Sequence, residues 1–178
     1  MKRAFAALLL LTSVSACVST SRLPQAAAGA PMFDPIRFFA GTTRGEGQLR
    51  IATRKTRAVT VDGQGVPAGD GAIRLDQVVT MAGQAPSRRQ WRLRRDGQGG
   101  FSGVLSDAAG PVSGTLVDGR LRLRFALKGG LRAEQTLALQ ADGRTVHNVM
   151  IVRKFGLAVA RLDETIRRLE DAKASEPE

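Results

Sequence analysis

The chain has 178 residues, with 27 Lys+Arg against 16 Asp+Glu, and so carries a formal charge of +11. One Cys excludes an internal disulfide, and one Cys with one His cannot build a Cys/His zinc site. The length suits a single domain, and a hydrophobic fraction of 43% is too high for wholesale disorder.

Lys2 and Arg3 precede an unbroken apolar run from Ala4 to Leu11, followed by small residues to Ala16. The run is shorter than the roughly 20 apolar residues a membrane-spanning helix needs. Its three-part layout is that of a secretory signal peptide over residues 1–16. The segment ends Val14-Ser15-Ala16-Cys17, which resembles the lipobox of bacterial lipoproteins. That resemblance implies cleavage before Cys17 and acylation of its sulfur and new amino terminus, with the membrane as a partner through those acyl chains. Residue 18 is Val rather than Asp, which for a Gram-negative host implies the outer membrane, facing the periplasm. From Val18 to Pro31 the chain is small, polar and Pro-punctuated, with no period of 2 or 3.6, and residues 17–32 are expected to be a lipidated Cys and flexible linker.

From Phe33 the signal is β. Leu121, Leu123, Phe125 and Leu127 alternate with Arg120, Arg122, Arg124 and Lys128; Ile73, Leu75, Val79 and Met81 share one parity; Trp91 and Leu93 alternate with Arg92 and Arg94. Breaks recur about every ten residues, among them Asp96-Gly97, Asp118-Gly119 and Asp142-Gly143, and Asp-Gly between alternating runs marks a hairpin because type I′ turns need positive φ at both central residues. The predicted strands lie near 44–52, 56–62, 71–81, 88–95, 100–106, 112–117, 120–128, 131–140, 144–153 and 157–168. The last is ambiguous: Val159, Leu162, Ile166 and Leu169 also have helical spacing. Short antiparallel strands must hide their edges, so the expectation for 33–169 is an all-β antiparallel barrel or strongly curved sheet, apolar inside, with a polar tail over 170–178.

An ordered set of motifs then resembles a family of bacterial lipoproteins, domain-of-unknown-function family 3833: Phe38-Phe39-Ala40-Gly41, Leu75-Asp76-Gln77, Arg89-Gln90-Trp91-Arg92-Leu93, Gly103 with Ser106-Asp107 and Gly110, and Lys154-Phe155-Gly156-Leu157. The resemblance covers about residues 33–169 and implies an envelope lipoprotein with a lipocalin-like β fold and no established activity. Two departures stand out. Gln77 occupies a position that is usually acidic in the family, and an Asp- and Trp-bearing segment near Glu134–Leu139 is absent.

Candidate chemistry is sparse. Ser106, Asp107 and His147 are triad residue types, but no Gly-x-Ser-x-Gly elbow is present, and solvated or structural roles are the bland reading. Gly99-Gly100 and Gly129-Gly130 read as hairpin turns rather than phosphate loops. No catalytic residue, metal site or cofactor is expected, and nucleic acid is excluded as a partner by export and by the absence of aromatics on the arginine parity. Arg92, Arg94, Arg122 and Arg124 form one stripe only if their strands lie close; the stripe would suit an anionic surface. Leu75, Gln77, Val79, Trp91, Leu93, Phe101 and Phe125 are candidates to line a cavity. The reading that follows is an envelope lipoprotein with a non-enzymatic binding or accessory role, holding a lipid-like or small apolar ligand. The alternative is a structural partner of other envelope proteins through the arginine face, with a hydrolase as the remaining class.

Overall fold

The computed structural model describes residues 22–169. Cys17, the signal segment 1–16 and the tail from 170 lie outside the described residues. The elements are α1 (Pro35–Phe38), β1 (Gly41–Ile51), β2 (Arg57–Pro67), β3 (Ala72–Met81), β4 (Ser87–Arg95), β5 (Phe101–Leu105), β6 (Val112–Val117), β7 (Arg120–Leu127), a 3-10 turn (Lys128–Gly130), β8 (Leu131–Leu139), β9 (Thr145–Lys154) and β10 (Leu157–Arg168). Each strand pairs antiparallel with its neighbours in sequence, and β10 returns to β1 to close the barrel. Closure leaves no free edge.

All ten predicted strands are present. The helix alternative at the C-terminus is resolved as strand, and the reason it read ambiguously is a β-bulge between Ala158 and Ala160. The extra residue breaks the period of 2, so Ala158 packs outside with Val149 and Ile151 while Leu162 and Ile166 point inward. β2 runs past its predicted end to Pro67.

The two ends of the barrel differ. The β2–β3, β4–β5, β6–β7 and β8–β9 turns share one end with α1. Asp34 caps α1 by accepting the Ile36 N–H at 3.0 Å, and Pro35 sits in the first turn, where its missing N–H is not needed. This short helix pushes Phe33, Phe38 and Phe39 into the barrel mouth, stacked edge-on at 5.7 and 4.9 Å. The Asp34–Arg95 ion pair (2.7 Å) and a bond from Arg168 to the Arg37 carbonyl tie the plug to β4 and β10. Gly65 is required beneath it, because a Cβ there would collide with the Phe39 carbonyl. This end is closed.

The other end carries the β1–β2, β3–β4, β5–β6, β7–β8 and β9–β10 turns, and no described segment plugs it. Inward residues near it, including Leu49, Val79, Met81 and Met150, are only half-buried. The wall is also lower on one side. β5 pairs β4 only from Trp91 onward, so Ser87–Arg89 project past their neighbour.

The stretch expected to be a flexible linker has no regular secondary structure, but from Arg22 it lies along the barrel. Leu23 packs on Val149, Ile151 and Ala158, the Arg22 carbonyl accepts from Arg161 (2.8 Å), and Ala27 N–H bonds the Leu139 carbonyl. This strap explains why Ala138, Val149 and Ile151 are buried although they face outward.

Candidate functional site

The main apolar core runs from Leu121, Leu137 and Val146 near the closed end through Trp91 and Phe125, edge-on at 5.5 Å, to Leu105 and Leu127 beside the open-end turns. Near the open end lies a second apolar cluster of Val59, Val61 and Leu162 with Leu49, Val79, Met81 and Met150. Between them sits a band of inward polar residues: Thr43, Gln77, Arg89, Gln135, Asn148 and Glu164.

Alternation on the strands puts them there. Arg89 shares the parity of Trp91 and Leu93, Glu164 that of Leu162 and Ile166, and Asn148 that of Val146 and Val152. The Gln77 carbonyl oxygen accepts from Arg89 Nε at 2.7 Å and from Trp91 Nε1 at 3.0 Å. On the neighbouring strands β9 and β10, the register partners Asn148 and Glu164 are joined by a bond from Asn148 Nδ2 to Glu164 Oε2 at 2.7 Å. Glu164 lies against the backbone of β1, and a Cβ on Gly45 would overlap its carboxylate.

The electrostatics follow from burial. Desolvation pushes the Glu164 carboxyl above its ordinary range, opposed by the Asn148 hydrogen bond and the charge of Arg89. Desolvation likewise pushes Arg89 down, opposed by Glu164 and Asp107. Arg89 remains a cation at neutral pH, as arginine does in proteins. Only its Nε has a hydrogen-bond partner among the described residues; Nη1 and Nη2 have none there and are not sealed from solvent. The buried Asn148 Oδ1 is also unpartnered. Buried polar atoms are rarely left so, and a ligand donor would satisfy it. The band therefore offers an unfilled guanidinium fork and an open acceptor beneath an apolar mouth.

The residues expected to line a cavity all face inward, but most are filler. Leu75, Trp91, Leu93, Phe101 and Phe125 are buried in the main apolar core. Gln77 and Val79 alone reach the half-exposed interior. The arginine stripe is not one surface. Arg92 and Arg94 lie on β4 and Arg122 and Arg124 on β7, with β5 and β6 between them. Arg124 is held by Glu134 at 3.0 Å, and Arg122 is half-buried 4.0 Å from the same carboxylate. The triad types are not assembled either. Ser106 accepts the Gln90 N–H and donates to Asp107, while His147 is exposed on the outer face of β9, opposite Thr165 and Ala138. Among the described residues no group of three His, Cys, Asp or Glu is placed to hold a metal ion.

Arg89, Asn148 and Glu164 were not singled out from sequence. The signal was available for each: a charged or amide residue on the apolar parity of its own strand, which is more informative than any exposed arginine.

No curated protein matches the sequence. Among solved structures the fold is similar to the S-type phycobiliprotein lyase CPES from Guillardia theta, with a TM-score of 0.60 over 76% of this chain and 91% of that one, at 13% identity. That likeness is one of fold: a closed antiparallel barrel of lipocalin-like type. In sequence, the family model described as protein of unknown function DUF3833 matches residues 11–168, most of the chain, and the chain belongs to that family.

Proposed function

We propose that the protein is a lipid-anchored envelope protein that holds a small amphipathic ligand, with its apolar body among Leu49, Val79, Met81 and Met150 and an anionic head on Arg89. The observation that carries this is the free guanidinium fork of Arg89, positioned by Gln77 inside an otherwise apolar mouth. An amide at 77 holds the guanidinium in place without cancelling its charge, and planar bidentate anions fit such a fork. The similarity in fold to a phycobiliprotein lyase supports a barrel with a ligand or accessory task. It carries no further detail.

A competition assay separates the head from the tail. Palmitate should displace anilinonaphthalene sulfonate from the native protein, and methyl palmitate should do so far less well. Arg89→Gln should weaken palmitate by about 10- to 100-fold, the range expected when a charge-assisted hydrogen bond is lost, and should leave the methyl ester unchanged. If native protein binds neither compound, or if Arg89→Gln binds palmitate as tightly, this reading fails.

The anchor rests on the Val14-Ser15-Ala16-Cys17 pattern. Cells fed an alkyne-tagged fatty acid should label the native chain, and Cys17→Ala should abolish the label. Label persisting on the variant would rule the anchor out. Two or three acyl chains, at about 0.8 kcal/mol per buried methylene, would hold the protein to the bilayer almost permanently.

A further inference from the structure

The turns at the two ends of the barrel differ in charge. Each closed-end turn contains an aspartate, Asp70, Asp96, Asp118 and Asp142, but Arg95, Arg120 and Arg144 stand beside them, so that end is mixed in charge. The open-end turns and their flanks instead present Arg54, Lys55, Lys128 and Lys154, none with an ion-pair partner among the described residues. Asp107 is the one carboxylate within the open-end turns described.

At the same rim the β9–β10 hairpin carries an apolar tip. Phe155 is 91% exposed and Leu157 62%; among the described residues only Met32, at 88%, is a comparably exposed large apolar side chain. The Lys154 ammonium lies 5.7 Å from the Phe155 ring centre. The turn is type I′, with φ of 50° at Phe155 and 82° at Gly156. An Asn is the usual residue before that Gly, and a bulky aromatic in the left-handed region is a steric outlier. Holding a phenyl ring there in water serves neither the turn nor the core. Such an outlier is grounds for seeking a function.

The chain entering the structure reaches this same half of the barrel. Arg22 and Leu23 sit on β9 and β10 near Ala158 and Arg161, and the strap then runs to Leu139 at the closed end. Cys17 precedes Arg22 by five residues, at most about 18 Å of extended chain.

From these juxtaposed features we infer that the open rim is a membrane-docking surface: the Phe155–Leu157 tip inserts among lipid headgroups, and Arg54, Lys55, Lys128 and Lys154 rest on an anionic leaflet. Apolar residues ringed by unpaired cations are what an interfacial contact requires. The mouth would then face the bilayer, so a lipid-like ligand would enter without crossing water. The tether argument rests on the acylated Cys17 proposed above; the charge and apolar tip do not.

The test uses the mature chain from residue 17 with Cys17→Ser, so that neither the apolar signal segment nor an acyl chain contributes, and vesicles of phosphatidylcholine with or without phosphatidylglycerol. The chain should float with the anionic vesicles, less so in high salt, and poorly with phosphatidylcholine alone. Phe155→Asn suits the turn and keeps the fold, and should weaken flotation about tenfold, the scale of taking one aromatic out of an apolar environment. Arg54→Glu with Lys55→Glu should weaken it about as much. Phe155→Trp should show a blue shift on vesicles that the parent, with its buried Trp91, does not. Flotation unmoved by either set of substitutions overturns the inference. So does a rim that ignores vesicles but crosslinks in cells to an envelope protein in a Phe155-dependent way. Arg89→Gln should float normally, so failure here and failure of ligand binding are separate results.

Discussion

Phe33→Ala is expected to lower the unfolding free energy by about 3–5 kcal/mol, read from the urea midpoint at constant m-value, because a fully buried aromatic leaves a cavity that its neighbours fill only in part. Phe33 is 1% exposed and stacks on Phe38, which in turn stacks on Phe39. Its removal loosens the whole closed-end plug, since α1 is a single turn held by one cap, one ion pair and these rings. Phe155 provides the internal comparison. The same substitution at that position removes an exposed ring that contacts only a lysine, and should move stability by no more than about 0.5 kcal/mol. A Phe33→Ala variant as stable as the parent would show that the Phe cluster is a surface feature. The barrel would then be open at both ends, and the polar band would lie along a channel.

The barrel was legible in the sequence because a sheet with one buried face repeats every second residue, and Asp-Gly turns punctuated the repeat. The bulge at 158–160 is where that rule lapsed. One extra residue exchanged the parities, and helical spacing then fitted as well as alternation. The strap over β8–β10 was not legible. Leu23 and Ala27 carry no period, and their docking is revealed only by the outward Ala138, Val149 and Ile151 that they cover. The site was half legible. Gln77 stood out as a polar residue on an apolar parity, but Arg89 was read only as part of the motif Arg89-Gln90-Trp91-Arg92-Leu93 and not by the parity it shares with Trp91 and Leu93. Glu164 was hidden beside Asp163, whose side chain faces outward to Arg50 and Arg161. Whether β4 and β7 lie side by side is a three-dimensional fact that no spacing reports; two intervening strands keep Arg92 and Arg94 from forming one stripe with Arg122 and Arg124.

The second large effect is a pH dependence carried by Glu164. Burial raises its carboxyl above the ordinary value, which is about 4.3 in an unfolded chain. Below that value the carboxyl is protonated in both states. Between it and the raised folded-state value the native protein binds more protons than the unfolded chain, so stability falls as pH rises through this window and then levels. Glu164→Gln removes the titration while keeping an acceptor for Asn148. Its stability curve should be flat across that window and lie above the parent's at neutral pH. Arg89→Gln should act in the opposite sense. Arg89 holds the Glu164 value down, so losing its charge should carry the falling segment to higher pH. The same coupling reaches the ligand. A carboxylate seated on Arg89 adds a second negative charge near Glu164 and favours its protonation, so binding takes up a proton and palmitate should bind less tightly as pH rises through the Glu164 transition. In Glu164→Gln that dependence should vanish while affinity for methyl palmitate stays the same. A Glu164→Gln protein that keeps the parental slope in both stability and palmitate affinity would place the titrating group elsewhere, and the polar band would then be a structural layer rather than the seat of an anionic head.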